Sequence, residues 1–100
     1  MNNLGLSANS LEQITRIINS FDFVSKAVIF GSRAKGTYKK YSDIDICLYG
    51  ELDAFDAEKV RSALDDLNLI YEFDVLSYSD ITNTALCEHV DRIGVEIYEK

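Results

Sequence analysis

GSRAKGTYKKYSDIDICL, residues 31–48, follows directly on an apolar run, Ala27-Val28-Ile29-Phe30. Ten residues separate its Gly31-Ser32 pair from Asp43-Ile44-Asp45. The apolar run has the length and composition of a short buried strand. Gly31 has no Cβ, so the chain can turn tightly there and approach a ligand closely. Ser32 stands where a short helix can start, and free backbone N–H groups at such a position suit a phosphate. Beyond it, Asp43-Ile44-Asp45-Ile46-Cys47-Leu48 alternates with period two. On a strand this places Asp43 and Asp45 on one face and Ile44, Ile46 and Leu48 on the other. The apolar face can pack on helices while the acids look into a cleft.

Two neighbouring carboxylates repel each other and have raised pKa values unless positive charge sits between them. Magnesium is the usual answer, because it takes oxygen ligands and shares them with substrate phosphates. Asp-x-Asp alone is equally the mark of solvated acids on a strand edge. Its coupling to Gly31-Ser32 after a buried strand is what points to nucleotide chemistry.

Gly31-Ser32, ten residues and Asp43-x-Asp45 resemble the signature of the polymerase-beta-like nucleotidyltransferase superfamily. Arg33-Ala34-Lys35-Gly36 and Ser42 resemble its small prokaryotic branch, the minimal nucleotidyltransferase (MNT) proteins. The resemblance spans nearly all of residues 1–100, a length that suits a single domain with one core.

The net charge of −7 opposes a grip on long nucleic acid, but not on a nucleotide held through a metal ion. No signal peptide and no apolar run of membrane-spanning length is evident, so a soluble, cytoplasmic protein is expected. Cys47 and Cys87 are too few for a disulfide framework or a zinc site. Cys47 reads as a small core residue, and Cys87 as the same on a helix. His89, the one histidine, reads as a helix-surface residue.

In chain order, residues 1–9 carry no strong pattern and are expected to include a mobile terminus. Ser10 with Gln13 fits a capping box, and Leu11, Ile14, Ile17, Ile18 and Phe21 predict a helix over about residues 10–20. Residues 21–26 read as a connection, 27–30 as the first strand, and Gly36 as the stop of a short helix after Ser32. The loop 37–42 carries Tyr38 and Tyr41 around Lys39-Lys40, either as a contact surface or as a solvated tip. The second strand covers 43–49. Asp53 caps a helix with Phe55, Val60, Leu64 and Leu67 on its buried stripe. The third strand covers 71–77, with Glu72, Asp74 and Leu76 on one face, so a further acid reaches the sheet surface. Ser79 caps a last helix with Ile81, Ala85, Leu86 and Val90, and residues 95–98 form a final strand. The fold class is α+β (α/β): a small mixed sheet with helices packed on one face. The resemblance implies that this sheet is the nucleotidyltransferase core.

Two functions of different kinds follow. In the first, an enzyme transfers a nucleoside monophosphate from a nucleoside triphosphate, which the MNT resemblance implies to be AMP from ATP. Asp43, Asp45 and Asp74 bind two magnesium ions, and Asp74 helps activate the attacking hydroxyl. Gly31 and Ser32 hold the β- and γ-phosphates. Arg33 or Lys35 neutralises phosphate charge, or else both are solvated helix charges. No acceptor-binding domain is evident in so short a chain, so the acceptor is expected to be a protein or to bind at a borrowed site. The MNT resemblance implies a helical HEPN toxin, an RNase silenced by AMP on a tyrosine, with this chain as antitoxin. The other enzyme reading is an aminoglycoside-like adenylyltransferase assembled as a homo-oligomer. In the second function, a non-catalytic module neutralises its partner by contact. The complete set of three acids favours the enzyme.

Overall fold

The alternation of residues 44–49 builds the central strand of the sheet. The computed structural model describes residues 4–100. In it β2 (Ile44–Gly50) lies between β1 (Val24–Phe30) and β3 (Phe73–Ser77), and β4 (Val95–Glu99) completes the order β3-β2-β1-β4. β1 is antiparallel to β2 and β4, whereas β2 and β3 run parallel. A parallel pair needs a crossover connection. Here α3 (Ala54–Asp65) supplies it, and α3 starts at a capping box made by Asp53 and Asp56.

Ile44, Ile46 and Leu48 are fully buried against Ile14 and Ile18 of α1 (Ala8–Asn19) and Val60 and Leu64 of α3. Burying such a side chain is worth roughly 1.5–3 kcal/mol, so this layer is the main source of stability. The opposite face of β2 is different. It is acidic at its start and turns apolar at Cys47, which packs with Val28, Phe30 and Val90 of α4 (Thr84–Ile93). The mixed α+β sheet therefore has α1 and α3 on one face, as expected, and α4 on the other. Both cysteines are free, Cys47 buried and Cys87 half-buried.

Several local expectations shift for physical reasons. α1 begins earlier than Ser10, because the Ser7 hydroxyl accepts the Ser10 N–H and caps it. Leu4 and Leu6 are buried in the main core, so the pattern-free start is packed from Leu4 onward; the expected mobility of residues 1–3 lies outside the described residues. β1 starts at Val24, paired with Gly50 beyond a bulge, and not at Ala27. Ser79 lies in a 3-10 turn, Tyr78–Asp80, and Asn83 caps α4 instead by accepting the Ala85 and Leu86 N–H groups. Phe55 is exposed (74 %), with the Lys59 ammonium 5.5 Å from its ring centroid; Ala57 takes the inward place expected of it. Among the described residues no helix is long and apolar enough to cross a membrane.

Candidate active site

Three strand ends meet at one edge of the α4-side face. β1 ends at Phe30, whose Cα partner is Asp45, and Asp45 in turn is the Cα partner of Asp74 on β3. Residues facing each other in register point their side chains to the same side of the sheet. Asp43, expected as the first residue of the strand, lies just before β2 and is exposed, and it is near enough for its charge to act on Asp45. Asp74 is exposed and Asp45 half-buried. Burial, then the charge of Asp74, then that of Asp43, raise the Asp45 pKa from 3.8 to about 6. All ion pairs among the described residues lie on helix surfaces, and none reaches these three acids.

Gly31 opens α2 (Gly31–Lys35) at φ +73°, a conformation that favours glycine. A Cβ there would collide with the Asp45 carboxylate, so the missing side chain lets the turn lie against the acid. Gly36, at φ +81°, ends α2 in the left-handed conformation and returns its N–H to the Ser32 carbonyl. Ser32 is half-buried, and its hydroxyl makes no hydrogen bond among the described residues.

Arg33 departs from the expected phosphate-neutralising role. It is 1 % exposed, donates to the Leu4 carbonyl at 2.8 Å and the Ser42 carbonyl at 2.9 Å, and lies over the rings of Tyr71 and Tyr38. A guanidinium offers five donors in a fixed fork. Here that fork ties the N-terminal segment to the residue before Asp43, so it supports the acidic strand from behind. Lys35 is exposed, as a helix-surface charge would be. In the loop, Tyr38 is half-buried beside Arg33, while Tyr41 stands 63 % exposed.

The donor set suits magnesium: carboxylate oxygens only, concentrated negative charge, and open access. Among the described residues no group of three or more His, Cys, Asp or Glu side chains is placed to hold a metal ion by itself. Magnesium commonly takes only one or two protein carboxylates and fills its shell with water and substrate phosphates. Glu72, a possible alternative third acid, precedes β3, and its carbonyl accepts the Ile44 N–H at 2.9 Å. Asp74 is the acid in register with Asp45. A cavity of about 270 Å³ lies further along β3 between Ala57, Leu76 and Leu86, and none of the three aspartates lines it.

The sequence from residue 12 to residue 100 matches the family model described as polymerase beta, nucleotidyltransferase. The chain belongs to that family. A relative from Haemophilus influenzae, "Probable protein adenylyltransferase MntA", is 34 % identical over 73 residues, covering 71 % of this chain and 63 % of the relative. This nucleotidyltransferase-family chain thus spans less than two thirds of that relative's length. Its fold matches the crystal structure described as "the toxin-antitoxin with AMP-PNP" with a TM-score of 0.71 at 23 % identity, covering 95 % of this chain and 75 % of the other. It also matches the Shewanella oneidensis structure of a tri-AMPylated HEPN toxin in complex with an MNT antitoxin. There the TM-score is 0.68 at 19 % identity, with 92 % and 71 % covered.

One contact at the site goes against the sequence reading. His89 is not on the free helix surface: its Nε2 accepts the Gly31 N–H at 3.2 Å, and its ring meets Phe30 edge-on, centroids 6.2 Å apart. The available signal was its place on α4, three residues after Leu86 and one before Val90, at the flank of the apolar stripe.

Proposed function

We propose that this chain transfers AMP from ATP to a tyrosine hydroxyl of a helical HEPN partner and acts as its antitoxin. The observation that carries the proposal is the Asp45–Asp74 register beside the Gly31-Ser32 turn. It sets a cluster of unpaired acids next to an open hydroxyl donor, on a chain of this family. The relatives support the partner and the transfer: one is described as a probable protein adenylyltransferase, and another stands in complex with a tri-AMPylated HEPN toxin.

Asp43, Asp45 and Asp74 would hold two magnesium ions, which supply positive charge to the triphosphate and to the charge that develops during transfer. Ser32 offers its hydroxyl and amide to the β- and γ-phosphates, and Gly31 provides the room. Asp74, exposed on the edge strand, takes the proton as the tyrosine oxygen attacks the α-phosphorus. The bond from the α-phosphorus to the bridging oxygen breaks, and pyrophosphate leaves. Docking of the two proteins holds the tyrosine near the α-phosphate and makes the transfer effectively intramolecular. An added AMP brings negative charge and a bulky base to the partner's surface, which opposes RNA there.

The test is co-expression with a HEPN-domain protein, followed by intact mass spectrometry of the partner. The native chain should leave an AMP adduct on a tyrosine, and Asp43→Asn should leave none. Equal neutralisation by both chains without any adduct would make contact alone the mechanism. An adduct formed only on a small hydroxylated substrate would favour the aminoglycoside-like alternative.

A further inference from the structure

Gly31 is committed on two sides. Its missing side chain leaves room for the Asp45 carboxylate, and its N–H is taken inward by His89 of α4. Of the donors at the turn, the Gly31 N–H is therefore spent, and the Ser32 hydroxyl makes no hydrogen bond among the described residues. The imidazole that holds Gly31 is itself held. It stands at 83° to the Phe30 ring, and the next residue, Val90, is buried with Phe30, Val28 and Cys47. α4 thus reaches from the apolar half of the sheet to the turn beside the acids.

We infer that His89 is a positioning residue for the nucleotide, acting through the Gly31-Ser32 turn; this rests on the nucleotidyltransferase reading above. To accept from Gly31, Nε2 must carry no proton, so the ring is neutral with its proton on Nδ1. While that bond holds, the Phe30–Gly31 peptide cannot rotate, and Ser32 presents its donors in one direction. Without an acceptor the Gly31 N–H is left half-buried and unpaired, a costly state. The peptide then turns towards water, and Ser32 moves with it. The groups that lose their partner are the β- and γ-phosphates, so the effect belongs to ATP and not to AMP.

The experiment compares His89→Phe, which keeps a ring against Phe30 but has no acceptor, with His89→Gln, whose side-chain carbonyl can replace Nε2. Amide hydrogen exchange at Gly31 in the full chain reads the contact, and calorimetric affinities for Mg-ATP and for AMP read its use. Gly31 should be protected in the wild type and in His89→Gln, and should exchange fast in His89→Phe. Affinity for Mg-ATP should fall about tenfold in His89→Phe and stay within about threefold in His89→Gln, with AMP binding the same in all three. Equal loss of ATP and AMP, equal loss in both variants, or unchanged ATP affinity in His89→Phe would each overturn the positioning role. So would a Gly31 amide that exchanges as fast in the wild type as in His89→Phe. A wild type that binds no Mg-ATP would overturn the nucleotidyltransferase reading itself, and this role with it.

Discussion

Replacing Asp45 by Asn should make the metal-free protein more stable while removing its use. Asn keeps the shape of the side chain and deletes a charge that burial and two neighbouring carboxylates disfavour. A pKa raised from 3.8 to about 6 corresponds to about 3 kcal/mol at pH 7 before screening. Asp45 is only half-buried, so solvent cuts this to about 1–2 kcal/mol. The sign follows from the proton. The folded state binds it more tightly than the unfolded chain, so the associated stability is complete below 3.8 and lost as pH rises through about 6. The advantage of Asp45→Asn is therefore full at pH 7.5 and small near pH 4.5. Urea unfolding with EDTA at both pH values measures it, and at neutral pH the melting temperature should rise by roughly 4–8 °C per kcal/mol. On the metal role proposed for Asp45, adding Mg-ATP should reverse the order, because only the wild type would hold the metal-bound nucleotide. A variant that is less stable at pH 7.5, or whose advantage is the same at pH 4.5, would refute the electrostatic account of the acidic cluster.

Arg33→Ala should destabilise the protein by about 3 kcal/mol or more, since it leaves the Leu4 and Ser42 carbonyls without their charged donor; chemical denaturation checks this, and Arg33→Lys should recover little because one ammonium cannot fork to both. Lys35→Ala, at an exposed position, should change stability by no more than about 0.5 kcal/mol in the same assay. Gly31→Ala should lose Mg-ATP binding in calorimetry and about 1–3 kcal/mol of stability, because the left-handed backbone and the Asp45 carboxylate both oppose a Cβ.

The turn, the short helix and the acidic strand were legible because their signals are local. A glycine at a positive φ, a second glycine at the end of the short helix it opens, and period-two alternation act within a few residues of chain. The same locality made Asp53 readable as a cap, whereas Ser10 was displaced by Ser7, an equally good capping residue three positions earlier. Phe55 was misplaced because helical periodicity names a stripe without saying where the helix meets the sheet. α3 turns Ala57, Val60 and Leu64 inward, which leaves Phe55 outside.

By itself, then, the sequence determined that two acids stand at the start of the second strand, that a glycine turn precedes them, and that an acid on a later strand could join them. Only the tertiary structure decided that Asp74 lies in register with Asp45, that Arg33 is buried behind the acidic strand, and that His89 holds the Gly31 amide. The reason is range. Side-chain direction along a strand follows from backbone geometry, whereas strand register and the partner of a buried guanidinium or imidazole depend on how segments tens of residues apart pack together.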